Sequence, residues 1–314
     1  MSKHTSAGLH GLRGELRMAE PMASHTSWRA GGCADRAYIP VDLDDLRAFL
    51  ASLPQHEPVY LVGLGSNLLV RDGGVRGTVI FTNRALNRIG AEDHLTLPDS
   101  RRMIFAEAGV PSPKLARFAA MHDLRGAEFM AGIPGTVGGA LAMNAGCYGG
   151  ETWNIVGSVT TVDRAGQLRQ RTRADFAIGY RTVVLKAEGG SIAEEWFVAA
   201  HFDLPRGDGA SARATIKLLL ERRTETQPLN QPNAGSVFRN PRGDYAARLI
   251  DACGLKGCAL GGAMISAHHA NFIVNTGGAR AADIEALIET ARGAVRQRFG
   301  IDLEREVRII GEPG

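Results

Sequence analysis

GAEFMAGIPGTVGGALAMNAGCYGG, residues 126–150, is the stretch on which the fold turns. It carries Gly132, Gly135, Gly138, Gly139, Gly146, Gly149 and Gly150 and almost no charge. Each glycine inside a helix costs on the order of 1 kcal/mol relative to alanine, so the segment reads poorly as an interior helix. It reads either as backbone that something large and flat approaches closely or as a glycine-rich packing crossover between domains. Composition alone leaves both open.

A second glycine-bearing turn lies upstream in PVYLVGLGSNLLV, residues 58–70. Gly63, Gly65, Ser66 and Asn67 follow an apolar β run, where backbone N–H groups and a serine hydroxyl can surround a phosphate. The stretch is not the G-x-G-x-x-G dinucleotide fingerprint, because the third glycine is missing and Leu68-Leu69-Val70 continues as strand. By itself it fits a pyrophosphate loop or a plain tight turn.

Around these loops the chain alternates short β runs with amphipathic stretches. RAYIP (36–40) and RGTVIFT (76–82) read as strands, and DLDDLRAFLAS (42–52) and SPKLARFAAMHDL (112–124) as helices. IVGSVTTVDRAGQLRQRT (155–172) predicts a hairpin turning at Arg164-Ala165-Gly166, and EEWFVAAHFDL (194–204) a strand. Pro, Gly and Asp cluster in PRGDGAS (205–211), which predicts a domain boundary. Beyond it, 212–223 and 243–255 read as helices and ANFIVN (270–275) as a strand. Ile284, Leu287, Ile288, Ala291, Val295 and Phe299 recur at helical spacing over 281–299. LEREVRII (303–310) reads as a closing strand of alternating character.

With 314 residues the chain is long for one core, and several compact units are expected. Its composition, 44% hydrophobic and 22% charged, is that of an ordinary globular protein, and no apolar run approaches the roughly 20 residues of a membrane helix. The amino end lacks the apolar stretch of a secretory signal, so a cytoplasmic protein is expected. Cysteines 33, 147, 253 and 258 form no C-x-x-C pair, which argues against a zinc site or a disulfide framework; reduced and mostly buried thiols are expected. A net charge of +3 with dispersed arginines argues against nucleic acid as a partner.

GLGSNLLV, AGIPGTVGGALAMNAG, GYR, NAGSVFRNP, LIDACGLKG and LEREVRIIG occur in this order and spacing. Together they closely resemble the UDP-N-acetylenolpyruvoylglucosamine reductases, flavoenzymes of bacterial cell-wall (peptidoglycan) precursor synthesis, from about Thr26 to Gly311. The short segment between Asn240-Pro241 and ARLIDACGLKG resembles the shorter type II branch.

The resemblance implies an α+β fold: a two-subdomain FAD-binding module of the vanillyl-alcohol-oxidase (PCMH) type followed by an α+β substrate-binding domain. The expected division is an N-terminal segment 1–20, whose order the sequence leaves open, FAD subdomains 21–90 and 91–206, and a substrate domain 207–314. It implies that Gly63, Gly65, Ser66, Asn67 and Leu68 meet the pyrophosphate of non-covalent FAD. Gly132, Ile133, Pro134, Gly135, Thr136, Gly138, Gly139, Asn144 and Gly146 are expected along the flavin. NADPH is the implied reductant, and the protein is expected to be a monomer acting on small molecules without a membrane.

Three positions match the family's catalytic groups: Arg181 in GYR, Ser236 in NAGS and Glu306 in LERE. Hydride addition to an enol ether's methylene carbon leaves negative charge at the neighbouring carbon, which must be stabilised and then protonated. Arg181 would meet the substrate carboxylate, Glu306 would act beside it, and Ser236 would deliver the proton. A serine in that role needs no neighbouring histidine, because it acts as an acid and not as a nucleophile.

Tyr180 and Asn240 are implied substrate contacts. Arg239 fits a diphosphate contact, a positive charge that eases loss of the serine proton, or a solvated arginine, and His268 and His269 read as structural. The chain departs from the family pattern at Val183, where many relatives have serine, and at Thr226, where lysine is frequent. Rival readings are another FAD-dependent oxidase of the same superfamily and a non-catalytic flavin- or UDP-sugar-binding regulator.

Overall fold

The computed structural model describes residues 11–92, 101–186 and 194–314. The chain divides into two compact units. One comprises 1–17, 37–63 and 78–216, and the other 18–36, 64–77 and 217–314, the masked segments aside.

The first unit contains a five-stranded antiparallel sheet. Its spatial order is Leu168–Arg171, Val156–Asp163, Glu195–Pro205, Arg101–Glu107 and Ile89–Glu92. The hairpin turns where the sequence predicts: Asp163 N–H bonds to the Gln167 carbonyl at 3.0 Å and Gly166 N–H to the Asp163 carbonyl at 3.0 Å. Helix α1, Leu43–Ser52, starts at Asp42, whose carboxylate accepts from Asp45 N–H at 2.9 Å. It buries Leu46, Phe49 and Leu50 in a cluster with Tyr38, Val59, Ile80, Val162 and Val198. Asp45 is buried there because Tyr38 Oη, Arg13 N–H and Val41 N–H all donate to it. Helix α2 spans Ser112–Met121.

The glycine-rich segment departs from its sequence reading, since it does contain a helix, α3 at Val137–Met143. Gly138 and Gly139 fall in its first turn, where Thr136 caps Gly139 N–H at 3.5 Å. Ala140, Leu141, Ala142 and Met143, all good helix formers, carry the rest. Asn144 closes it in the left-handed conformation, φ 43° and ψ 49°.

The second unit has its own core. Helices α4, α5 and α6 span Gly209–Thr226, Ala246–Ala252 and Ala281–Phe299, and the first of these crosses from one unit into the other in the chain. Helix α6 matches its predicted limits and buries Ile284, Leu287, Ile288, Ala291 and Val295. Asp72 accepts from Ala281 N–H and Ala282 N–H, each at 3.0 Å, and so satisfies two N–H groups of its first turn. A three-stranded sheet (Ala259–Leu260, Ala263–Ile265, Ile273–Asn275) packs with α5 and α6 around Trp28, Phe238 and Leu303. Trp28 Nε1 donates to the Ile273 carbonyl at 2.7 Å.

One open question is answered in part and two expectations need correction. Glu15–Pro21 is a strand, so the later part of the N-terminal segment is ordered; residues 1–10 lie outside the described residues. The closing strand is only Arg308–Ile310, parallel to Leu68–Val70, and Glu306 precedes it. The cysteines are free, but Cys33 is exposed and Cys147, Cys253 and Cys258 are half-buried. They sit at element ends and in turns, where Cys253 and Cys258 pack against the edge of the second unit's core. No helix among the described residues is long and apolar enough to cross a membrane.

Candidate active site

NAGSVFRNP folds as an irregular segment held by long-range main-chain pairing. Asn233 Oδ1 accepts from Gly235 N–H at 3.0 Å, and its Nδ2 donates to the Gln231 and Pro228 carbonyls at 2.8 and 3.0 Å. This side-chain-closed turn puts Gly235 at φ +76°, a backbone shape that favours glycine. The chain then enters a short pairing with residues 304–307. Glu306 N–H donates to the Val237 carbonyl at 2.8 Å and Arg239 N–H to the Glu304 carbonyl at 2.9 Å. Ser236 and Glu306 thereby flank one hydrogen bond, and both are half-buried.

Asn271 fastens the same segment from a further direction. Its main-chain carbonyl accepts from Val237 N–H at 2.9 Å, its Oδ1 accepts from Phe238 N–H at 3.0 Å and its Nδ2 donates to the Phe238 carbonyl at 2.8 Å. Val237 and Phe238 are each 1% exposed, so these bonds satisfy backbone that water does not reach. Asn67 Nδ2 donates to the Glu306 carbonyl at 3.1 Å, and Asn67 O accepts from Arg308 N–H at 3.0 Å. Asn67, expected at a pyrophosphate, therefore braces Glu306.

Sequence reasoning missed Asn233 and Asn271. The first had a legible signal, an Asn two residues before a glycine, which is a common side-chain-closed turn. Asn271 had none, because its partners lie 33 residues away.

Arg239 pairs with Glu304 at 2.7 Å, its side chain 17% exposed, so it is not a simply solvated arginine. Asn240 Oδ1 accepts from Ala246 N–H at 3.1 Å at the start of α5. His268 Nε2 lies 2.7 Å from the Glu225 carbonyl. His269 packs edge-on against Phe272 and its Nδ1 accepts from Asn271 N–H at 3.3 Å. Burial holds the His269 imidazole below its ordinary value, consistent with a structural role for it. A cavity of about 440 Å³ within this unit has Gln227, Asn230, Gln231, Ser266 and His268 among its lining residues.

Arg181 lies in the first unit. Phe176–Gly179 and Thr182–Leu185 pair antiparallel, leaving Tyr180 and Arg181 as the turn. Arg181 Nη2 donates to the Gly146 carbonyl at 2.7 Å and Nη1 to the Asn144 carbonyl at 3.4 Å, so the end of the glycine-rich segment holds the guanidinium. Its carbon lies 5.0 Å from the centre of the Tyr180 ring, and Tyr180 is 46% exposed.

The residues expected at the cofactor sort by accessibility. Pro134 and Gly139 are exposed, and Gly63, Ser66, Asn67, Gly132, Gly135, Gly138 and Gly146 are half-buried. Ile133, Thr136, Asn144, Leu68 and Gly65 are buried. A Cβ added at Gly139 would meet only Thr136 Oγ1, at 3.9 Å, so open space lies over the backbone there, as a flat ring system requires. Gly65, at φ +61°, is instead a packing requirement, since a Cβ would strike the His25 carbonyl. A Cβ at Gly63, Gly132, Gly138 or Gly146 would come within 3.0 Å of other protein atoms, so these glycines also serve packing, and the fit to FAD rests on the exposed, uncharged backbone at Pro134 and Gly139.

Comparison with known proteins agrees. Residues 34–171 match the profile of an FAD binding domain, and 227–310 match that of the UDP-N-acetylenolpyruvoylglucosamine reductase C-terminal domain. The chain is 58% identical to the UDP-N-acetylenolpyruvoylglucosamine reductase of Nitrosospira multiformis, covering 96% of this chain and 90% of that one. It is 55% identical to the same-named protein of Thiobacillus denitrificans, covering 96% and 94%. The crystal structure of the reductase from Thermus caldophilus superposes with a TM-score of 0.74 at 30% identity, over 95% of this chain and 98% of that one. The chain belongs to the UDP-N-acetylenolpyruvoylglucosamine reductase family of FAD-dependent oxidoreductases.

Proposed function

We propose that the protein reduces UDP-N-acetylenolpyruvoylglucosamine to UDP-N-acetylmuramate with NADPH as the electron source. When bound, FAD supplies the hydride chemistry, taking two electrons from NADPH and passing them to the enolpyruvyl methylene carbon. Gly63, Gly65, Ser66 and Asn67 would hold its pyrophosphate, and Pro134, Gly135, Gly138 and Gly139 would lie against its ring. We read 21–90 and 91–206 as the FAD-binding halves and 207–314 as the substrate domain. The profile matches over 34–171 and 227–310 support an FAD-binding part followed by a reductase-specific part, while 18–36 and 64–77 group with the second compact unit.

The chain's own task is to manage the charge and the proton. Arg181 offers a permanently charged fork of donors to the substrate carboxylate, into which negative charge spreads as the enolate-like species forms. Ser236 Oγ–H gives its proton to the carbon that carries the enol ether oxygen, and the serine then recovers a proton from solvent. An alcohol is a weak acid, but a carbanionic carbon is a strong enough base to take its proton. Glu306 would act beside Arg181 on the same carboxylate.

The observation that supports this reading is the 2.8 Å bond from Glu306 N–H to the Val237 carbonyl, which pairs the main chain at Glu306 with the residue that follows Ser236. Tyr180 remains a proposed substrate contact. Arg239 and Asn240 fall to supporting roles, because Glu304 and the start of α5 already engage them. The cavity beside the Gln227–Gln231 loop offers amide and imidazole groups suited to the edge of the uracil, and its size is that of an ordinary ligand site. We read the working form as a cytoplasmic monomer with small-molecule partners only.

Single-turnover kinetics of Ser236→Ala test the mechanism. Flavin reduction by NADPH is expected to stay near the wild-type rate, while reoxidation by the enolpyruvyl substrate slows by several orders of magnitude. Equal losses in both half-reactions would show that Ser236 is structural. A protein that oxidises NADPH with oxygen but shows no substrate-dependent rate would overturn the assignment itself.

A further inference from the structure

Arg181 occupies an uncommon backbone position. It sits in a two-residue hairpin turn at φ +54°, where a side chain costs roughly 1–2 kcal/mol that glycine avoids. Such a residue persists only where its surroundings over-determine it. Those surroundings include the Gly146 carbonyl and Asn144, which is 1% exposed and itself left-handed at the end of α3.

Asn144 grips the hairpin twice. Its main-chain carbonyl accepts from Arg181 Nη1 at 3.4 Å, and its Nδ2 donates to the Gly179 carbonyl at 3.1 Å, at the root of the turn. The same Nδ2 donates to Glu151 Oε2 at 3.0 Å, and Oδ1 accepts from Trp153 N–H at 3.1 Å. The carboxylate accepts and the Trp153 N–H donates, so only one orientation of the amide satisfies both. The short pairing of Gly146–Cys147 with Gly150–Glu151 brings Glu151 back to this point and presents the Gly146 carbonyl that holds Arg181 Nη2 at 2.7 Å.

We propose that Asn144, oriented by Glu151, is a positioning residue for the reduction step: it holds the Arg181 turn so that the guanidinium meets the substrate carboxylate. The proposal rests on the reading of Arg181 given above. The Asn144 side chain, in the segment expected along the flavin, is buried and engaged within the protein. A misplacement of about 1 Å in a charge-bearing group costs on the order of 100-fold in rate, so loss of the amide should be visible in chemistry and not only in stability.

The test is a double-mutant cycle on FAD-loaded enzyme, with both half-reactions followed by flavin absorbance and substrate affinity read from the substrate-induced spectral shift. Asn144→Gly keeps access to the left-handed backbone and removes only the amide. It is expected to slow reoxidation by the enolpyruvyl substrate about 10- to 100-fold, with reduction by NADPH within about threefold of wild type. In the Arg181→Ala background the same change should add less than about threefold, since the residue it positions is gone. Glu151→Ala should reproduce the pattern more weakly, and it carries the test if Asn144→Gly does not accumulate as FAD-loaded protein.

Wild-type reoxidation in Asn144→Gly beside a slow Arg181→Ala would overturn the proposal while leaving the role of Arg181 intact, and so would full additivity of the two losses. Wild-type reoxidation in Arg181→Ala would instead remove the reading of Arg181, and this inference with it.

Discussion

The turn that carries Arg181 and the segment that carries Ser236 are held by different physics. Arg181 is fixed by polar groups 35 and 37 residues away, the Gly146 and Asn144 carbonyls, in a strained backbone conformation. Ser236 precedes Val237 and Phe238, which are buried in a core with Trp28, Leu249, Ile284 and Val307. The main chain there is clamped by Asn271 and by residues 304–307. The proposed carboxylate-binding cation thus sits on an arrangement that trades stability for placement, whereas the proposed proton donor is anchored by burial. Substitutions should therefore separate the two regions, one answering mainly in rate and the other mainly in stability.

The largest expected effect is at Phe238. Truncating it to alanine removes a ring that is 1% exposed and should cost about 3–5 kcal/mol, read as a fall in the denaturant midpoint of the unit that contains it. Activity per folded molecule should fall as well, because the Ser236 segment loses its anchor. A cost below about 1 kcal/mol would remove the contrast between the regions.

Arg181→Gly should do the opposite. Glycine relieves the left-handed strain while the guanidinium contacts are lost, so stability should stay level or rise by up to about 1 kcal/mol even as reoxidation by substrate collapses. A clear fall in stability would mean that the hydrogen bonds to Gly146 and Asn144 outweigh the strain.

The smallest effect is in pH. Burial depresses the His269 imidazole below its ordinary 6.5, so the folded state favours the neutral ring. The unfolded chain then binds more protons, and the stability this group contributes is full above about pH 6.5 and is lost as pH falls below it. His269 Nδ1 accepts from Asn271 N–H, so protonation also removes an acceptor beside the residue that clamps Phe238. Thermal midpoints between pH 7.5 and 5.5 should fall less in His269→Gln than in wild type. Identical profiles would show that the ring does not couple to the clamp.

Much of the fold was legible in the pattern of residues. The period of Ile284, Leu287, Ile288, Ala291 and Val295 set the limits of α6, because a stripe of that spacing has to face a core. Arg164-Ala165-Gly166 marked a hairpin, because glycine there takes φ +74°. Helix α3 was not legible, since the glycine count obscured a Thr136 cap and a run of good helix formers that begins only in the second half of its seven residues. Glu306 was read into a strand because LEREVRII alternates, yet pairing to Leu68–Val70 covers only Arg308–Ile310.

In the candidate site, motif order was enough to name Arg181, Ser236 and Glu306 and to expect FAD. The roles of Asn144, Asn233 and Asn271 were not accessible in that way. An asparagine side chain is informative only through its partners, and the partners of Asn144 and Asn271 are brought to it by turns and pairings tens of residues distant. The amino-acid sequence by itself determined the family, the cofactor and the kinds of group available for chemistry, because these depend on residue type and order. Only the tertiary structure decided which carbonyls hold Arg181 and which hydrogen bond, from Glu306 N–H to the Val237 carbonyl, ties Glu306 to the Ser236 segment. Those are distances, and distance is set by how a whole unit packs and satisfies its buried backbone.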